Sequence, residues 1–92
     1  MKIQGKTFVV TGAGGGIGAA LVEGLLLRGA RVAAVDVRTE SLEALQQKHA
    51  DASDKLSTHE LNITDKVAVE GFPTVVIQQH GCVDGIINCA GI

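Results

Sequence analysis

A doubly wound parallel α/β sheet of four strands, in the order 3-2-1-4, is the fold the sequence predicts, and three observations predict it. Short β-branched runs alternate with longer amphipathic stretches, giving the order β-α-β-α-β-α-β. The strand runs are apolar along their length, so both faces need covering, which is the mark of a parallel sheet with helices packed on either side. A glycine-rich segment at residues 12–18 separates the first run from the first amphipathic stretch. Right-handed crossovers then fix the strand order.

Taken in order, Thr7-Phe8-Val9-Val10-Thr11 reads as a buried strand. Ile17, Leu21 and Leu25 recur at helical spacing, predicting a helix over 17–28 with Gly29 as its C-terminal stop. Arg31–Asp36 is the second strand, polar only at its ends. A second helix begins at Thr39, with Glu40 suiting the helix dipole and Leu42 and Leu45 sharing a face. It runs out in the polar stretch Lys48–Lys55, and Leu56–Leu61 is a third, weaker strand. Thr64 is expected to cap a third helix from Asp65, which Gly71 and Pro73 should kink or split before it resumes through Val75–Gln79 and stops at Gly81. Val83–Asn88 is the fourth strand.

Ninety-two residues make at most one small domain, burying about 60–65% of the surface the unfolded chain exposes. Ten acidic against eight basic residues leave a net charge of −2, which offers no basic face to nucleic acid and no cationic stripe to a membrane. No apolar run approaches the roughly 18 residues a spanning helix needs. The start of the chain lacks the apolar core of a signal peptide. Cys82 and Cys89 have no metal-ligand partners at useful spacing, so a reduced, cytoplasmic setting is expected. His49, His59 and His80 are scattered, without metal spacing and without a serine or cysteine partner arranged for nucleophilic work, and read as surface or helix-terminal residues. Asp65 and Asp84 read as a first-turn and a loop residue.

The segment Thr11-Gly12-Ala13-Gly14-Gly15-Gly16-Ile17-Gly18 places five glycines within seven residues, between a strand and a helix. Backbone N–H groups at a helix N-terminus are unpaired, and the dipole favours an anion there. Three nucleotide loops fit such a place. A P-loop needs a lysine and a Ser/Thr where Ile17 and Gly18 stand, so it fails. Gly14-x-Gly16-x-Gly18 fits the loop of S-adenosylmethionine-dependent methyltransferases. Gly14-x-Gly16-x-x-Ala19 fits the general dinucleotide fingerprint, and Thr11-Gly12-x-x-x-Gly16-Ile17-Gly18 is a better match to a dinucleotide loop.

That last pattern resembles the cofactor loop of the short-chain dehydrogenase/reductase family, and the resemblance continues in register. Asp36 ends the second strand, 24 residues beyond Gly12; Asn62-Ile63 follows the third; Asn88-Cys89-Ala90-Gly91 follows the fourth and is similar to the family's Asn-Asn-Ala-Gly. The resemblance implies a Rossmann-like fold and a cofactor site formed by Gly12, Gly14, Gly15, Gly16, Ile17, Gly18, Asp36, Val37, Asn62, Ile63, Asn88, Ala90 and Gly91. The carboxylate of Asp36 can accept both ribose hydroxyls and repel a 2′-phosphate, favouring NAD over NADP, although Arg38 nearby could pair with that phosphate. Asn62, where the family usually has aspartate, and Ile63 would meet the adenine. Asn88, Ala90 and Gly91 would border the ribose and the glycine loop. Cys89 is expected to pack as a small buried hydrophobe.

The family's hydride transfer uses a tyrosine, a lysine four residues later and a serine, all beyond the fourth strand. These 92 residues contain no tyrosine. Residues 1–92 are therefore expected to be the N-terminal dinucleotide-binding portion of a single domain, a fragment without catalytic residues or metal of its own. Its partners would be NAD, an alcohol or carbonyl substrate only together with the missing part, and another chain or the rest of the protein along the open fourth strand. The alternative is a non-catalytic nucleotide-binding or association module. A methyltransferase comes third, because Thr11 stands where such loops have an acidic residue and the Asn-Cys-Ala-Gly segment does not suit it.

Overall fold

The computed structural model describes residues 3–62 and 64–89. Its elements are β1 (Thr7–Thr11), α1 (Gly16–Leu27), β2 (Arg31–Asp36), α2 (Thr39–Lys48), a short 3-10 turn (Ala50–Ala52), β3 (Leu56–Glu60), α3 (Lys66–His80) and β4 (Gly85–Asn88). The strands form one parallel sheet in the order β3-β2-β1-β4. Alternation along each strand divides the apolar side chains between two layers. Phe8, Val10, Val32, Ala34 and Leu56 join Val22 and Leu25 of α1 and Leu42 and Leu45 of α2 in the larger core. Val9, Ala33 and Val35 face the other way, onto Val76 of α3. Helices on both faces are what the apolar strand runs require.

Local chemistry sets the element ends. At the close of α1, Gly29 takes φ +81, its N–H bonds Leu26 O, and the N–H of Ala30 reaches back to Leu25 O. This pair of bonds satisfies the last carbonyls, and glycine adopts the left-handed conformation freely.

Three expectations are corrected. The cap of α3 is Asp65, whose Oδ1 accepts from Ala68 N at 3.2 Å. Thr64 does not cap because its N–H and hydroxyl both donate to Asn62 Oδ1. The helix is not split at Pro73 but continues through it. Val69, whose carbonyl loses its partner, is itself exposed, so water can satisfy that carbonyl, while buried Val76 and partly buried Phe72 hold the helix to the sheet. The fourth strand is shorter than Val83–Asn88, because the Asp84 carboxylate, instead of a ladder carbonyl, takes the N–H of Thr7 at 2.8 Å. That bond is also the main reason the Asp84 carboxyl titrates below its ordinary value, against slight desolvation and with help from the Cys82 thiol and Lys6.

His49 and His80 stand at helix ends, as expected. His49 caps α2 and is buried. The hydroxyl of Ser57, on β3, lies 2.8 Å from His59 Nε2 and 2.8 Å from His80 Nε2. A strand residue two positions away and a crossing helix bring together groups whose separation in the chain shows nothing. A serine hydroxyl donates once and accepts, so two neutral imidazoles in opposite tautomers complete this chain of bonds. Burial lowers the His59 pKa, with the charge of His80 adding to it; burial lowers that of His80, with Arg31 on β2 adding to it. The unfolded chain therefore takes up these protons more readily, and linkage makes folding stability rise with pH. Full stability is expected above the ordinary histidine value of 6.5, with loss as pH falls below it. A lower urea midpoint at pH 5.5 than at pH 7.5 is the expected result, and equal midpoints in wild-type protein would show that the array does not hold α3.

Candidate functional site: the glycine turn and the end of β2

Residues 12–18 leave β1, turn, and enter α1. Gly12 has φ +66, a conformation side chains rarely adopt. Gly15 is the N-cap of α1, with no side-chain cap bond and no acidic residue in the first turn. Gly16, Ile17 and Gly18 form that first turn. Among the described residues, their N–H groups meet no acceptor outside the helix, and the geometry of a helix start gives them none inside it. Ile17 is exposed. The positive end of a 12-residue helix thus lies open behind a turn in which the one side chain, that of Ala13, is buried.

The glycines divide by what a Cβ would meet. At Gly18 it would overlap the carbonyl oxygen of Gly12 and lie 2.9 Å from Ala13 Cα, so helix and turn are in backbone contact. At Gly14 it would overlap Ser41 Cβ and lie 2.8 Å from Asp36 Oδ2. At Gly15 it would meet Gly12 O at an ordinary 3.5 Å, and at Gly16 it would meet nothing. Packing explains Gly14 and Gly18; it offers no reason for Gly15 and Gly16.

Asp36 ends β2 directly beneath this turn. Its side chain is 7% exposed. Oδ2 accepts from Gly14 N at 2.9 Å and Oδ1 from Arg38 N at 3.1 Å, and Arg38 Nε stands 3.6 Å from Oδ1. Burial is the largest single influence and pushes the carboxyl up. The N–H groups of Arg38, Gly14 and Val37 and the Arg38 charge together outweigh it, so the group lies below its ordinary value and is ionised at neutral pH. Val37, next along, is exposed.

On the other side of β1, Thr11 Oγ1 donates to Asn88 Oδ1 at 2.6 Å, and Cys89 N donates to Thr11 O. Asn88 is thereby fixed at the mouth of the glycine turn. Cys89 is buried, as a small hydrophobe should be. Asn62 is exposed and its bonds are local: Oδ1 accepts twice from Thr64, and its carbonyl accepts from Asp65 N. Both lone pairs of that side-chain oxygen are taken. Ile63, Ala90 and Gly91 lie outside the described residues. The structure thus brings Gly12–Gly18, Asp36 and Asn88 to one end of the sheet. The participant the sequence did not reveal is Ser41, on the first turn of α2, because nothing in a helix pattern says which neighbouring backbone it will touch.

Among the described residues there is no cluster of side chains suited to a metal ion and no helix long and apolar enough to cross a membrane.

The same fold is found in proteins of known family. The family model for short chain dehydrogenase matches residues 6–92. The 3beta-hydroxysteroid dehydrogenase 2 of Eggerthella lenta is 38% identical over 90 residues, 98% of this chain and 35% of that protein. The 3-oxoacyl-[acyl-carrier-protein] reductase of Thermotoga maritima is 34% identical over 92 residues, 100% of this chain and 37% of that protein. An NAD+-bound xylitol dehydrogenase superposes with a TM-score of 0.85 at 30% identity, over 94% of this chain and 33% of that one. A metagenomic short-chain oxidoreductase in complex with NADP does so with a TM-score of 0.87 at 34% identity, over 100% and 42%. The chain spans little more than a third of the length of these curated relatives. A match that begins at residue 6 and runs to residue 92 leaves one conclusion: the chain belongs to the short-chain dehydrogenase family.

Proposed function

We propose that this chain is the NAD(H)-binding portion of an oxidoreductase acting on an alcohol or carbonyl substrate. The observation that carries the reading is the pair Gly15 and Gly16, whose lack of side chains packing does not require. The backbone there is open to the approach of a ligand. A pyrophosphate suits the place, since its oxygens accept from the N–H groups of Gly16, Ile17 and Gly18 and its charge faces the positive end of α1. The ionised carboxylate of Asp36 then receives the adenosine ribose, and its charge opposes a 2′-phosphate. On the family resemblance we assign Val37 to that ribose, Asn62 and Ile63 to the adenine, the former through its side-chain amide N–H2, and Asn88, Ala90 and Gly91 to the bound cofactor. When bound, the nicotinamide supplies or takes the hydride. These residues bind and orient it; with no tyrosine among them, the family's acid/base phenol belongs to another part of the whole protein.

The remaining partners follow from the sheet. On β4, Ile86 is 69% exposed, and among the described residues β4 pairs only with β1. An apolar strand edge of this kind seeks cover, and we assign that cover to the rest of the protein or a second copy. Two free cysteines fit a reducing, cytoplasmic setting.

Calorimetric titration of the full-length protein with NAD+ and NADP+ tests the reading. NAD+ should bind about tenfold or more tightly than NADP+, the value of one hydrogen bond to a charged group. Failure to bind either dinucleotide would end it.

A further inference from the structure

The glycine turn does not stand free above Asp36; it is pressed against the start of α2. A Cβ on Gly14 would overlap Ser41 Cβ and lie 2.8 Å from Asp36 Oδ2 and 3.1 Å from Ser41 Oγ. One small volume is therefore bounded by the Gly14 backbone, a carboxylate oxygen and the Ser41 methylene. A ribose hydroxyl that reaches Oδ2 comes to the rim of that volume. A phosphate on the same oxygen adds a phosphorus and three further oxygens, and the methylene of Ser41 already fills the space beside Gly14. Charge alone does not make the barrier. Arg38, 58% exposed and within 3.6 Å of Asp36, is a ready counter-ion for a phosphate once the carboxylate is gone.

We propose that Ser41 is a specificity-determining residue: its Cβ, seated on Gly14 beside Asp36, excludes a 2′-phosphorylated cofactor by bulk. This rests on the reading of the turn as a dinucleotide site. Removing the Asp36 charge then leaves NADP poorly accepted, and NADP enters only when the Ser41 Cβ is removed as well. The hydroxyl plays no part, so alanine and glycine at this position behave differently.

The test is titration of full-length Asp36→Ala, Asp36→Ala/Ser41→Ala and Asp36→Ala/Ser41→Gly proteins with NAD+ and NADP+. The NADP+ to NAD+ affinity ratio should rise about tenfold in the glycine variant over the alanine one, the discrimination one carbon commonly gives in a tight pocket. The alanine variant should match Asp36→Ala alone. Equal ratios in the alanine and glycine variants would overturn the assignment. Asp36→Ala/Ser41→Thr, which enlarges the same group, should lower the ratio further, and it decides the matter if the glycine variant does not fold. Wild-type protein that binds neither dinucleotide would overturn the site itself, whereas NAD+ binding with equal ratios removes only Ser41.

Discussion

Gly18→Ala should unfold this protein or come close to it. The added methyl has no flexible side chain to push aside, since it would overlap the Gly12 carbonyl oxygen and crowd the Gly12 carbon at 2.8 Å and Ala13 Cα at 2.9 Å. Relief requires α1 to lift from the turn, and that helix contributes buried Val22 and Leu25 to the larger core. Overpacking of ordinary cores costs about 1–3 kcal/mol, and occasionally more, because the neighbours can adjust. Here the neighbours are backbone, so about 3 kcal/mol or more is expected, even after the gain of up to about 1 kcal/mol from alanine's better helix propensity. At roughly 4–8 °C per kcal/mol for a domain of this size, the melting temperature should drop by well over 10 °C.

The same substitution two residues earlier separates folding from function. Gly16→Ala meets nothing within 4 Å, so its stability should be unchanged or slightly higher. Its affinity for a dinucleotide should nonetheless fall, because the methyl stands where the backbone is open. Thermal melts of the two variants beside titration with NAD+ give the comparison. A Gly16→Ala protein that binds as wild type would show that the open amides are not used.

The fold was legible because its determinants are local or periodic. The strand order followed from the alternation of apolar runs and amphipathic stretches, and α1 ends at Gly29 as its sequence demands. Errors arose where a side chain from elsewhere captured a backbone group. Asn62 engages Thr64 and moves the α3 cap to Asp65; Asp84 takes the N–H of Thr7 and shortens β4. Pro73 does not split α3 for another reason, since a helix tolerates proline where water can reach the freed carbonyl. In the candidate site, the turn and Asp36 were visible as residue types at fixed spacing along adjacent strands. Ser41 was not, and neither was the contact between Ser57, His59 and His80. Those depend on how far one helix approaches one strand, which packing decides and periodicity does not record.

Asp36→Ala should weaken NAD+ by about 30–100-fold, since ribose hydroxyls bonded to a charged acceptor contribute about 1.5–3 kcal/mol each before partial replacement by water. Only part of that loss belongs to the sugar. The carboxylate also holds Gly14 N at 2.9 Å and Arg38 N at 3.1 Å, so its removal loosens the turn that would receive the pyrophosphate. Any dinucleotide suffers from the loosened turn, and NADP+ should share that part of the loss. Only NAD+ suffers from the missing grip on the 2′-hydroxyl, and NADP+ is relieved of a repelling charge. The difference between the two losses therefore isolates the ribose. Asp36→Asn sharpens the division, because it keeps one oxygen to accept from a backbone N–H while removing the charge. It should retain more of the turn's order than alanine and still narrow the gap between the cofactors. Because Asp36 titrates below the ordinary carboxylate value of 3.8, its bonds to the turn contribute stability above that pH and lose it as pH falls through the folded value. The NAD+ preference should accordingly persist throughout the neutral and mildly acidic range in wild-type protein. Titrations of both variants with both cofactors read this directly, and an equal loss of NAD+ and NADP+ would mean that Asp36 serves the turn alone and touches no sugar.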